Sequence, residues 1–222
     1  MLAWLGVPFR VQPADLDETQ RPGEAPADYV TRLARAKALS VSADCHPGEW
    51  VLAADTTVAD GNAVLGTPAD PADAKDMMTR LRGREHQVYT ALTLLQAGGG
   101  ARRAVICQSP VRMRPYSDSE MHAYIKSGDP LDKAGAYGIQ HAGFHPVEGF
   151  EHCFANVMGL PLCHLRVLLQ GVMDPQTAVA LPDICRSQLG YDCRFSAAAR
   201  ADAAVQVRMD SSRSSRRCPR WG

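Results

Sequence analysis

The sequence predicts an α/β fold built on a mixed sheet with flanking helices. Two observations predict it. Apolar runs of strand length alternate with segments whose apolar residues recur at helical spacing, and glycines, prolines and Asp/Asn/Ser clusters separate them. The chain has 222 residues, of which 45% are hydrophobic, so it can bury a sizeable core and is not a disordered polymer. There is no internal repeat.

The elements follow in order. Leu2, Leu5 and Val7 read as the last turn of an amphipathic helix, stopped by Gly6 and Pro8. A domain rarely opens on the end of a helix, so a first strand and most of a first helix are expected to be missing ahead of it. Residues 26–40 read as a helix. Tyr29, Val30, Leu33 and Ala34 form its apolar face, and Pro26 and Asp28 suit its first turn. Lys37 falls four residues after Leu33, on or beside that face. That position suits either a snorkelling side chain or a ligand group.

Residues 51–54 form a short apolar run expected to be a buried strand ending at Asp55-Thr56-Thr57. Ligand sites of α/β sheets lie at the carboxyl ends of strands, which is where this reading puts Asp55. Gly61-Asn62 marks a turn before Ala63-Val64-Leu65. Asp70-Pro71 supplies an N-cap and a proline at the first helical position. Ala74, Met77, Met78 and Leu81 make the buried face of that helix, and Gly83 closes it. Residues 87–95 and 104–113 read as strands joined by a hairpin at Gly98-Gly99-Gly100. Ser117-Asp118-Ser119-Glu120 is a capping box opening a helix with Met121, Tyr124 and Ile125. Residues 160–169 read as the last helix. The pattern decays from about Met173, so 1–172 is expected to be one domain and 173–222 a partly disordered extension. The tail carries Arg208, Arg213, Arg216, Arg217 and Arg220 among serines, and is read as solvated rather than as a nucleic-acid arm.

Charge bounds the function. The 24 basic residues balance 24 acidic ones, which gives no electrostatic case for duplex DNA or an anionic membrane. No apolar run approaches the ~20 residues of a membrane helix, and the N-terminus lacks a basic n-region. Seven scattered cysteines without a C-x-x-C read as reduced thiols in a cytoplasmic protein.

The richest stretch is Leu131-Asp132-Lys133-Ala134-Gly135-Ala136-Tyr137-Gly138-Ile139-Gln140. Its glycines permit tight turns or close ligand approach. Lys133 can meet an anion, and the amide of Gln140 can read a polar edge such as a nucleobase. Elsewhere the chain offers Asp15, Asp17 and Glu18 in one loop, with Lys37 and Asp55. Hydrolysis of a nucleoside triphosphate needs cations for phosphates, carboxylates for a divalent metal and a base for water.

These segments, in this order, resemble the Maf family of nucleotide pyrophosphatases. The resemblance runs from about Gly6 to Gly171. It is carried by Leu5-Gly6-Val7-Pro8-Phe9, Asp15-Leu16-Asp17-Glu18-Thr19, Leu33-Ala34-Arg35-Ala36-Lys37-Ala38, Ala53-Ala54-Asp55-Thr56, the stretch ending at Gln140, and Asn156-Val157-Met158-Gly159-Leu160-Pro161. It implies two lobes around a central cleft and often a homodimer. The implied reaction cleaves nucleoside triphosphates between the α- and β-phosphates, with Mg2+ or Mn2+. Asp55 would accept the proton of the attacking water, Glu18 and Asp55 would hold metal, and Lys37 and Lys133 would meet phosphates. Thr56 and Gln140 stand where the family discriminates bases. The Ala-Tyr-Gly-Ile-Gln form resembles the branch acting on dTTP and UTP. Three departures accompany the resemblance. The family's Ser-x-Ser-Pro-Arg-Arg loop has no counterpart, Thr67 replaces a usual lysine before Pro68, and His141 replaces a usual glycine. They frame an alternative, a nucleotide-binding pseudoenzyme. A second alternative is a transition-metal site of His141, His145, His152 and Cys153, although Gly143 and Pro146 argue against a regular helix there.

Overall fold

The computed structural model describes residues 1–6, 8–172, 181–193 and the backbone of 208–209. Five strands form one sheet: β1 (Trp50–Asp60), β2 (Ala63–Leu65), β3 (Glu85–Gln96), β4 (Arg102–Arg112) and β5 (Arg208–Met209), in spatial order β2-β1-β3-β4-β5. The helices are α1 (Pro26–Ser42), α2 (Pro71–Leu81), α3 (Asp118–Lys126), α4 (Phe154–Val157), α5 (Leu162–Leu169) and α6 (Leu181–Leu189). The α/β class is as the sequence predicts. Every described strand pairing is antiparallel, so a parallel component of the expected mixed sheet is not found among the described residues. Local connections impose much of this. Gly61 (φ 63°) and Asn62 turn β1 straight into β2, and the glycines after Gln96 turn β3 into β4.

The local signals hold where they are chemically complete. Asp70 accepts from the backbone N–H groups of Ala72 and Asp73 at the start of α2, and the Ser117/Glu120 capping box forms at α3. Residues Leu2–Leu5 make a 3-10 turn closed by Gly6 in the left-handed region.

Helix α1 lies on one face of β1 and β3. Val30, Leu33 and Ala34 pack against Ala91, and Ala38 packs against Val51 and Leu95. The opposite face carries two apolar clusters. One joins Leu92, Leu94, Val105 and Cys107 to α5 and to Ile184 and Cys185 of α6. The other joins Val58, Val88 and Val111 to α2, α3 and the glycine-rich stretch. A polar seam divides them, one residue from each long strand: Thr56, Thr90 and Ser109, with Asn156 of α4 above. The seam separates two apolar halves on one face of a single sheet. Helix α6 lies within the region expected to be an extension, and its buried residues belong to the core. The arginine-rich tail lies outside the described residues apart from the backbone of Arg208 and Met209.

The glycine-rich stretch folds as two short 3-10 turns, Asp129–Asp132 and Ala134–Ala136. Gly135 is held at φ 69° by its N–H donating to the Gly66 carbonyl at 3.0 Å. A Cβ there would stand 2.8 Å from Val58 Cγ2. Gly135→Ala is therefore expected to destabilise the fold by about 2–4 kcal/mol, from left-handed strain together with overpacking. Urea unfolding measures this, and a loss below about 0.5 kcal/mol would mean the turn relaxes freely.

Candidate active site

Asp55 sits mid-strand in β1, paired with Ala91, rather than at the end of a short strand. The expected strand end is corrected by the pleat. Asp55 and Thr57 face α1, where polar partners and the helix cover them, so polar residues do not terminate the strand. The Asp55 side chain is only 5% exposed. Lys37 reaches from α1 and donates to Asp55 Oδ1 at 2.6 Å, and its Nζ is 2.7 Å from Glu18 Oε1. Lys37 is thus a ligand of two carboxylates and not a snorkelling side chain.

The loop that delivers Glu18 is tied to α1. Tyr29 Oη donates to the Glu18 carbonyl at 2.9 Å, and Arg32 donates to the Thr19 carbonyl. Arg32 also pairs with Glu24, whose carboxyl it holds down at about 2. The Glu18 carboxylate itself stays about half exposed.

The electrostatics of the trio follow from burial. Burial raises the Asp55 pKa above the ordinary carboxylate value and outweighs the hydrogen bond from Lys37, which lowers it. For Lys37, burial favours the neutral amine, but bonds to Asp55 and Glu18 outweigh it and raise its pKa. The arrangement is a buried carboxylate made more basic than usual beside a retained cation. That is what a general base for water requires.

Thr56, Lys133 and Gln140 lie on the other side. The side-chain alternation of a strand sends Thr56 to the face opposite Asp55. There it is half-buried, and its hydroxyl is 2.9 Å from Thr90 Oγ1. Lys133 and Gln140 flank one backbone position: a Cβ on Gly138 would stand 3.1 Å from Lys133 Cε and 3.3 Å from Gln140 Nε2. Lys133 Nζ is held by Asp129 Oδ1 at 3.2 Å and Asp132 Oδ1 at 2.7 Å. An approaching phosphate would compete with both carboxylates. Among the described residues, no hydrogen bond or ion pair joins the Asp55 trio to Lys133 or Gln140. The structure therefore assembles the predicted residues as two groups on opposite faces of β1.

The edge of β1 between the groups is open, because β2 pairs only with Val58, Ala59 and Asp60. A groove of about 680 Å³ runs along it past Trp50–Ala54, Leu94 and Leu169 to Lys37. Its size suits a nucleotide. Yet it contains only Lys37 among the predicted site residues, so it adjoins the chemistry and does not define it.

Several contributing residues were not singled out from the sequence. Tyr29 reads only as part of an apolar helix face and Thr90 only as part of the strand 87–95, and Asp129 carries no reading of its own. Thr90 and Thr93 both interrupt the apolar residues of 88–95, and nothing local in the sequence sets Thr90 apart from Thr93. The histidine alternative does not assemble. His141 Nδ1 accepts from the Phe144 N–H, Cys153 is buried, and no cluster of three or more ligating side chains occurs among the described residues. Cys45, Cys107, Cys153 and Cys185 are free thiols, and no described helix is long and apolar enough to cross a membrane.

Known proteins match this chain over the same region. A dTTP/UTP pyrophosphatase of Myxococcus xanthus (strain DK1622) is 49% identical over 170 residues, covering 77% of this chain and 85% of that protein. One from Hahella chejuensis (strain KCTC 2396) is 45% identical over 172 residues, covering 77% and 85%. Another, from Geobacter sulfurreducens (strain ATCC 51573 / DSM 12127 / PCA), is 40% identical over 168 residues, covering 74% and 86%. The family described as Maf-like protein matches residues 1–172, the span that carries both faces of the site, and the chain belongs to that family.

Proposed function

We propose that this protein is a nucleoside triphosphate pyrophosphatase that hydrolyses dTTP and UTP to the monophosphate and pyrophosphate. The observation that carries this reading is the Glu18–Lys37–Asp55 trio, a buried basic carboxylate held against a lysine beside an open strand edge. The names of the relatives support the choice of substrate. Residues 1–172 form the catalytic unit in this reading, in the cytoplasm and as a homodimer. The free thiols of Cys45, Cys107, Cys153 and Cys185 support that setting.

In the mechanism, Asp55 takes the proton of a water attacking the α-phosphate. Lys37 keeps Asp55 oriented and offers positive charge to the phosphates. Thr56 and Gln140 read the base, and Lys133 approaches a phosphate once it yields one of its carboxylates. The donor set fits a divalent cation. Glu18 and Asp55 are hard oxygen donors converging on one cationic centre, and Mg2+ is commonly held by one or two carboxylates plus substrate phosphates. Mg2+ or Mn2+ bound there would neutralise charge developing on the phosphates.

Pyrophosphate release from a panel of nucleoside triphosphates, with and without Mg2+ or Mn2+, tests the function. Release from dTTP and UTP with monophosphate as co-product, abolished by chelation, is the expected result. Binding without release from any substrate would replace this reading by that of a nucleotide-binding pseudoenzyme.

A further inference from the structure

The polar seam fixes the direction of one hydroxyl. Thr90 is fully buried, and its Oγ1 donates to the backbone carbonyl of Asn156 at 3.0 Å. A carbonyl oxygen only accepts, and a threonine hydroxyl has a single proton. That proton is therefore committed. The 2.9 Å contact between Thr56 Oγ1 and Thr90 Oγ1 then runs one way, with Thr56 donating and Thr90 accepting. With its own proton spent on Thr90, Thr56 keeps only lone pairs for anything else that approaches.

The Asn156 carbonyl is itself held in place. Its side-chain Nδ2 donates to the Val88 carbonyl at 3.1 Å and to Ser109 Oγ at 3.0 Å, which pins α4 to the sheet. Gly159 N–H donates to the same Asn156 carbonyl at 2.9 Å. Gly159 lies at φ 93°, and a Cβ there would stand 3.4 Å from Thr56 Oγ1, so the glycine keeps the space beside that hydroxyl clear.

We propose that Thr90 and Asn156 are positioning residues that make Thr56 an obligate hydrogen-bond acceptor, so that the site selects pyrimidines carrying a ring N–H. This rests on the reading that Thr56 faces the base. Uracil and thymine present N3–H, a donor, whereas cytosine presents an unprotonated N3, an acceptor. Two acceptors facing each other repel, and a desolvated acceptor left without a donor is costly. Gln140 cannot make this distinction alone, because its amide both donates and accepts and can flip. The committed proton at Thr90 gives the pocket its polarity.

The test compares binding of the non-hydrolysable α,β-methylene analogues of UTP and CTP by calorimetry. The two ligands share ring size and phosphates. The wild-type protein is expected to favour the UTP analogue by about tenfold or more. Thr90→Val removes the committed acceptor, frees Thr56 to rotate and donate, and is expected to collapse that ratio to within about twofold. Thr90→Ser keeps the hydroxyl and is expected to retain the ratio, which a purely structural role for Thr90 would not predict. Thr56→Val gives a second route should Thr90→Val fail to fold. It is expected to weaken the UTP analogue and spare the CTP analogue, whereas a donating Thr56 would give the reverse. Equal binding of the two analogues by wild type, binding of neither, or an unchanged ratio in folded Thr90→Val would overturn the proposal. Absent pyrophosphate release with intact discrimination would instead sink the assigned activity and leave this inference standing.

Discussion

Asp55→Asn is expected to lower kcat/KM for pyrophosphate release by about 10²- to 10⁴-fold, the usual contribution of a general base. The same substitution should leave the melting temperature at pH 7 equal to or above that of wild type. The second expectation separates a catalytic carboxylate from a structural one. Burial raises the folded-state pKa of Asp55 above its unfolded value despite Lys37. Such a group contributes its stability below the unfolded pKa, near 3.9, and loses it as pH rises through the folded pKa. At pH 7 the fold therefore carries the ionised form at a net cost, which a neutral amide removes. The advantage of the Asp55→Asn variant should shrink as pH falls toward 4, where wild-type Asp55 takes up its proton. Thermal melts of the two proteins from pH 4 to 8, beside turnover at each pH, measure both parts. Turnover within threefold of wild type would remove Asp55 from the mechanism.

That cost also explains what the sequence could and could not reveal. Caps and turns were legible because their partners lie within a few residues. Asp70 meets Ala72 and Asp73, and Ser117 meets Glu120. The apolar face of α1 was legible from periodicity, and so was the position of Lys37 beside it. Whether Lys37 snorkels or binds was not legible, because the answer is Asp55, 18 residues away and across a helix–sheet interface. The extent of β1 was misread for the same reason. Asp55 and Thr57 look like a strand end when only their polarity is visible, and β1 in fact continues to Asp60 beneath α1. The division of the site between two faces was in principle available from the alternation of adjacent Asp55 and Thr56. It was obscured by reading the strand as finished there. Thr90 and Asn156 lie 66 residues apart, and no local pattern announces a hydrogen bond at that range.

Lys37→Met is expected to be the most destabilising substitution in the site, at about 2–4 kcal/mol at neutral pH. Removing one partner of a buried pair strands the other charge. The figure is set below the top of the usual range because Lys37 keeps 22% exposure and Glu18 can turn to solvent. Asp55 has no such escape except protonation, so the loss should diminish as pH is lowered toward 5. The double variant Lys37→Met/Asp55→Asn should recover most of the stability of wild type, since it leaves neither charge behind. Urea unfolding of the four proteins at two pH values completes the cycle. A double variant no more stable than Lys37→Met would show that Lys37 acts through its buried methylene stem alone. Recovery would show instead that the lysine's main structural task is to make an ionised Asp55 tolerable under α1. A carboxylate held that way is buried enough to be basic and paired enough to stay ionised. Neither residue achieves that combination without the other, and it is what the attack of water on a phosphate demands.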